Sequence, residues 1–343
     1  RDLHSFPTRR SSDLVQPPKH DVDVEPWKDH ESVSRETAIQ TPTGPRRAFF
    51  DRADDDWVAD DEYGTEYDDE SQVPTLPSPE NPRVFVVANQ KGGVGKTTTT
   101  VNIATALAFG GLNVLVIDID PQGNASTALG IDHDPGTPGA YEVLLHGERI
   151  QDLAKQSPHT PNLHVLPATV DLSTAELELV NEPGRESRMK RALAAYIEES
   201  GVDYVFFDCP PSLGLLTLNA LVASTEIMVP IQCEYYALEG VSQLMRTIQR
   251  VKGNLNDRLQ LTTVLLTMFD NRTNLSHEVA GEVRAHFGKE TLDVEIPRSV
   301  RIAEAPSYGQ SVLTYYPKSP GAVAYLKAAE EIARAATTEE GAA

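Results

Sequence analysis

The run Asn89-Gln90-Lys91-Gly92-Gly93-Val94-Gly95-Lys96-Thr97-Thr98 constrains this chain more than any other stretch. It follows a short apolar, β-branched segment, Val84-Phe85-Val86-Val87-Ala88, and opens a stretch of helical character over residues 97–109. A strand feeding a glycine-rich turn that starts a helix is the context in which such a run cradles phosphate. Gly92, Gly93 and Gly95 let the backbone approach an anion closely and turn its N–H groups towards it. The helix that follows adds its N-terminal donors and the positive end of its dipole. In a loop of this kind Lys96 reaches the β- and γ-phosphates of ATP and the Thr97 hydroxyl ligates Mg²⁺, with Val94 and Thr98 completing the cradle.

The rest of the chain fits a single doubly wound α/β domain. After Arg83, apolar runs alternate with helical stretches. The runs are Val114-Leu115-Val116-Ile117, Leu163-His164-Val165-Leu166, Tyr204-Val205-Phe206-Phe207, Ile227-Met228-Val229-Pro230-Ile231 and Leu261-Thr262-Thr263-Val264-Leu265-Leu266. Short continuous runs of this type read as strands buried on both faces of a mainly parallel sheet. Helices are expected over residues 185–199, 238–252, 276–287 and 322–336. The second of these carries an apolar stripe at Leu238, Val241, Leu244, Met245, Ile248 and Val251. Strand–helix alternation at this spacing predicts a P-loop nucleotide-hydrolase architecture over residues 83–336.

Composition divides the remainder. Residues 4–14, HSFPTRRSSDL, resemble the in-frame translation of a sequencing-library adapter, so residues 1–14 are not expected to belong to the fold. Residues 15–82 hold 18 Asp and Glu against 6 Lys and Arg, with proline-rich stretches and no apolar period, and are expected to form a disordered acidic tail. Residues 337–343 read as a short C-terminal tail. With a net charge of −21 the chain is no general nucleic-acid binder; any DNA contact needs a local basic patch. Two cysteines, Cys209 and Cys233, cannot build a disulfide framework, and no apolar run approaches the roughly 20 residues that span a bilayer. A cytoplasmic protein without a membrane partner is expected.

Three carboxylates stand at predicted strand ends, where an open α/β sheet places its ligands. Asp208 ends the run Tyr204–Phe207 and precedes Pro210-Pro211, the position from which a carboxylate holds Mg²⁺ directly or through water. Asp118 and Asp120 follow the run ending at Ile117.

The loop departs from the usual G-x-x-x-x-G-K-[ST] pattern, since Gln90 replaces its first glycine and Lys91 follows. This form resembles the deviant phosphate loop of the family that contains ParA, MinD, the arsenite-pump ATPases and the nitrogenase iron protein. The resemblance implies that Lys91 crosses a dimer interface to the partner's phosphates. It also implies that Asp120 orients the attacking water and that Asp118 lies near the metal. Further strings narrow the likeness to the ParA branch, chiefly its chromosomal Soj members. They are Asp208-Cys209-Pro210-Pro211-Ser212-Leu213-Gly214, Gln232-Cys233-Glu234-Tyr235-Tyr236-Ala237-Leu238-Glu239-Gly240, Leu266 through Asn274, and Ile296 through Gly309.

For that branch the likeness implies an ATP-dependent homodimer that binds DNA without sequence preference. Hydrolysis would be stimulated by a ParB-like centromere-binding partner, and the protein would be nucleoid-associated. Pro297 is then expected against the adenine, and Arg272, Arg301 and Lys318 are the expected DNA-binding cations. A MinD-like spatial regulator acting at a membrane or on another cargo is the alternative; the membrane form is the one the C-terminal charges bear on. Glu330, Glu331, Glu339 and Glu340 near the C-terminus disfavour it, because anionic lipid repels them.

Overall fold

The computed structural model describes residues 74–235 and 237–338. The adapter-like residues 1–14, the acidic tail as far as residue 73 and residues 339–343 lie outside the described residues.

The first half runs β1 (Arg83–Val87), α1 (Lys96–Phe109), β2 (Val114–Asp118), α2 (Asn124–Ala128), α3 (Ala140–Leu145), α4 (Ile150–Leu153), β3 (Lys155–Ser157) and β4 (Thr160–Leu166). Then follow α5 (Leu172–Leu179), α6 (Arg188–Ser200), β5 (Tyr204–Asp208), α7 (Leu215–Ala223), β6 (Glu226–Gln232) and α8 (Ala237–Asn254). The chain closes with β7 (Gln260–Phe269), α9 (Asn274–Phe287), β8 (Thr291–Pro297), α10 (Val300–Glu304), α11 (Val312–Tyr315) and α12 (Pro320–Thr338). One eight-stranded sheet has the order β3-β4-β2-β5-β1-β6-β7-β8. Every pairing is parallel except β3 with β4.

Strand periodicity sorts the core into two layers. In β1, Val84 and Val86 join the layer built from α3 and α5 to α9, whereas Phe85 and Val87 join that of α1, α2, α11 and α12. Strand β5 divides likewise, with Val205 and Phe207 on one face and Tyr204 and Phe206 on the other. Because both faces are covered, these strands read as unbroken apolar runs.

The folded unit starts earlier than the change of composition at Arg83. Leu76 is buried, and its N–H donates to Gly110 O at 2.9 Å. A side chain at Gly110 would meet Leu76 Cδ1 at 2.5 Å, so that glycine makes room for the incoming segment. Within residues 15–82, the segment expected to be a disordered tail, Leu76 thus packs against the folded domain. The helix expected from residue 185 opens with a 3₁₀ turn, Arg185–Ser187, and becomes α-helical at Arg188.

At the end of the strands opposite the phosphate loop, Arg83 binds three elements together. Its Nε and Nη2 donate to Glu226 at 2.7 and 2.5 Å, and Nη1 donates to Ile332 O at 2.7 Å. The guanidinium lies 4.8 Å from the Phe85 ring centre, and Thr262 donates to the same Glu226 carboxylate at 2.6 Å. This bidentate pair ties β1 to β6 and to α12. Removing one partner of a largely buried pair strands the other charge, so Arg83→Ala should destabilise the fold by about 3 kcal/mol. Urea unfolding measures the change, and an unaltered midpoint would contradict it.

Candidate nucleotide site

The loop after β1 adopts the backbone that its glycines predict. Gly93 and Gly95 have φ of 75° and 88°, in the left-handed region. A Cβ added at Gly92 or Gly93 would meet nothing within 4 Å, so the space over the loop is open. Two side chains fix the loop to neighbouring strands. Asn89 Nδ2 donates to Pro230 O at 2.9 Å, and the Asn89 side-chain oxygen accepts from Lys91 N at 3.0 Å. On the other side Thr267 Oγ1 donates to Val94 O at 2.9 Å. The loop is thus held by β6 and β7 as well as by its own helix.

Lys96 and the carboxylates converge at the start of α1. Thr97 Oγ1 donates to Asp208 Oδ2 at 2.8 Å, and Thr100 Oγ1 to Asp208 Oδ1 at 3.4 Å. Asp118 and Asp208 are register neighbours on β2 and β5, and both are fully buried. Burial pushes Asp118 up to about 6, against the pull of hydrogen bonds from Ser126 and Asp120. Burial, and then the Asp118 charge, raise Asp208 well above the usual carboxylate range. Desolvation lowers Lys96, and Asp208 is the main opposing charge. Two crowded, dehydrated carboxylates beside a threonine hydroxyl are hard oxygen donors that a small divalent cation would relieve, so the residues fit Mg²⁺. Among the described residues no cluster of three His, Cys, Asp or Glu forms a metal cage.

Asp118 has a second task that spacing did not reveal. Its Oδ1 accepts from Asp120 N at 3.1 Å, and its Oδ2 accepts from Ser126 N at 2.9 Å and Ser126 Oγ at 2.8 Å. It therefore anchors the turn that carries Asp120. Asp120 is half-buried on the rim, with Oδ1 accepting from Gln122 N at 3.0 Å. Thr98 continues the helix, its carbonyl accepting from Asn102 Nδ2 at 2.7 Å. Pro297 ends β8 opposite Phe269, two residues beyond the Thr267 that holds the loop, and Arg298 N donates to Phe269 O at 2.9 Å. Met268, between Thr267 and Phe269, has φ 51°; no other non-glycine among the described residues has a positive φ.

The expected DNA-binding cations lie on the surface. Arg272 follows β7 and pairs with Asp270 at 3.0 Å. Arg301 in α10 pairs with Glu304 at 3.0 Å and sits 5.1 Å over the Tyr316 ring. Lys318 is exposed two residues beyond that tyrosine.

Residues 82–261 match a family described as an AAA domain. The chromosome partitioning protein ParA of Caulobacter vibrioides is 51% identical over 250 residues, which are 73% of this chain and 93% of that protein. This chain belongs to the ParA/Soj family of chromosome-partitioning ATPases. The sporulation initiation inhibitor Soj of Bacillus subtilis is 49% identical over 251 residues, 73% of this chain and 98% of that protein. Among solved structures, a cobyrinic acid a,c-diamide synthase of Mycobacterium smegmatis with bound ATP analogue and magnesium is 39% identical. It superposes with a TM-score of 0.64 and covers 74% of this chain and 95% of its own. As a ParA/Soj member the chain is an ATP hydrolase. No helix among the described residues is long and apolar enough to cross a membrane.

Proposed function

We propose that this ParA/Soj protein is an ATP-switched partition machine. ATP and Mg²⁺ close a homodimer, the dimer holds DNA without sequence preference, and a ParB-like partner speeds hydrolysis and release on the nucleoid. One observation carries the dimeric part of the reading. Two lysines flank the same glycine loop with opposite exposures: Lys96 is 8% exposed, and the Lys91 side chain, at the lip, is 34% exposed. A buried lysine serves phosphates in its own site; a lysine at the lip can serve a facing one.

In this reading magnesium, when bound, neutralises phosphate charge. The chain's own residues do the rest. The loop N–H groups and Lys96 hold the β- and γ-phosphates, while Thr97 and Asp208, with Asp118 behind them, present the oxygens for the metal. Asp120 orients the water and accepts its proton. Pro297 borders the base, and Lys91 supplies charge in trans, as an arginine finger does. Arg272, Arg301 and Lys318 form the patch for DNA phosphates.

Lys91→Ala should then keep its ADP affinity while losing most of the ATP-dependent dimer. Sedimentation velocity with a non-hydrolysable ATP analogue tests this. A Lys91→Ala protein as dimeric as the wild type would remove the role in trans. Retention of plasmid DNA with ATP, but not with ADP, tests the switch as a whole.

A further inference from the structure

Lys91 is not idle in the single chain: its ammonium is ion-paired with the carboxylate of Glu234. We propose that Glu234 is a latch, a positioning residue that holds Lys91 within its own subunit until a partner's nucleotide displaces it. The proposal rests on the dimer reading above and adds a regulator to it.

The latch follows from how two strands are joined. Lys91 leaves the end of β1 and Glu234 leaves the end of β6, its hydrogen-bonded neighbour. The Asn89 side chain bridges these ends, donating to Pro230 O at 2.9 Å and accepting from Lys91 N at 3.0 Å. A tight turn fixes Glu234, whose N–H donates to Gln232 O at 2.8 Å and whose carbonyl accepts from Ala237 N at 3.1 Å. Both backbones are therefore set, and only the side chains have freedom. Their exposures, 34% for Lys91 and 41% for Glu234, leave the pair within reach of solvent and of a facing subunit.

A half-exposed ion pair adds little to stability. Its consequence is competition. Lys91 can neutralise either Glu234 or a phosphate on the partner, and the carboxylate offers one negative charge where a triphosphate offers several. ATP in the facing site wins the lysine, whereas a nucleotide without the γ-phosphate competes less well. Once released, Glu234 is solvated at little cost. The pair thus lowers the dimer population wherever the dimer must break it, by the same factor whichever nucleotide faces the lysine.

The magnitude follows from the usual worth of such pairs, a factor of roughly two to five in an equilibrium. A two-fold dimer must open two latches, so removing them should tighten dimerisation by about four- to twenty-five-fold, the square of that factor. The experiment uses the full chain with a non-hydrolysable ATP analogue, and compares wild type, Glu234→Gln, Lys91→Ala and the double variant by sedimentation across protein concentrations. Glu234→Gln keeps the shape of the side chain and removes its charge. It should dimerise at correspondingly lower concentration, with ADP affinity and melting temperature unchanged. In the Lys91→Ala background the same substitution should do nothing.

A Glu234→Gln protein that dimerises no more tightly than a dimerising wild type overturns the latch and leaves the dimer reading standing. A gain that persists without Lys91 also overturns it, since the carboxylate would then act by another route. If neither wild type nor Glu234→Gln dimerises with the analogue, both readings fall.

Discussion

Asp120→Ala is expected to bind ATP and form the ATP dimer like the wild type, yet to hydrolyse ATP at least about 100-fold more slowly, the range lost with a positioned general base. The site explains why the two properties separate. Among the described residues, Asp120 makes no hydrogen bond to the phosphate loop. It stands on the rim of the turn, its N–H fixed by Asp118, which is itself held by the backbone and hydroxyl of Ser126. Removing its carboxylate leaves Lys96, Thr97 and Asp208 in place. Lys96→Ala should behave differently and lose nucleotide affinity outright, since a charge buried beneath the loop has no substitute. Binding of a fluorescent ATP analogue and phosphate release, measured on the same preparations, separate the two cases. Equal turnover in Asp120→Ala and wild type would sink the assignment.

Residue order carried much of this architecture, for reasons that particular elements make plain. Strands covered on both faces must be apolar throughout, so β1, β2, β5 and β6 stand out as runs. The edge strands β3 and β8 are partly solvated, and Lys155-Gln156-Ser157 or Thr291-Leu292-Asp293 carries no such signal. Helix α7, Leu215–Ala223, escapes notice for the opposite reason: Leu216, Ala220, Leu221 and Val222 are all buried, and Leu215 and Leu218 pack against the same core, so no polar face marks a helical period. In the site, the loop and the strand-end carboxylates were legible because their chemistry depends on local spacing. Ser126, Thr267 and Glu234 were not. Thr267 and Glu234 act on residues brought near only by the sheet, Ser126 reaches Asp118 through the turn between them, and none has a residue type that announces the role. The anchoring of Leu76 beside Gly110 is hidden in the same way, since a lone leucine among prolines has no periodic partner.

The surface cations offer the other large effect. Arg272→Glu with Arg301→Glu should abolish DNA retention by the ATP dimer and leave dimerisation intact. On a chain of net charge −21, attraction to phosphate rests on a few exposed cations, and these two follow the ends of the neighbouring strands β7 and β8. Neither is buried in the core. The Arg272 side chain is 83% exposed and spans both oxygens of Asp270 at 3.0 and 3.1 Å, which holds the Asp270 carboxyl below its ordinary range. Arg301 is shared between Glu304 and the face of Tyr316. In the proposed patch DNA phosphates would compete with these carboxylates, so each contact would be weaker than an unpaired arginine would make. Each substitution removes a cation and sets a second carboxylate beside an existing one, Asp270 in the first case and Glu304 in the second. Each phosphate contact contributes about 0.9 to the slope of log affinity against log salt. Two contacts per subunit, doubled by the dimer, therefore set a loss of up to about 3.6 in that slope. Filter binding across a salt series reads both affinity and slope. Substituting one arginine at a time should remove about half of the change, because the sites are separate and act through charge alone. If the double variant kept the wild-type slope, the patch would lie elsewhere on the dimer, and Arg246 and Arg250, exposed four residues apart on α8, would be the next surface to change.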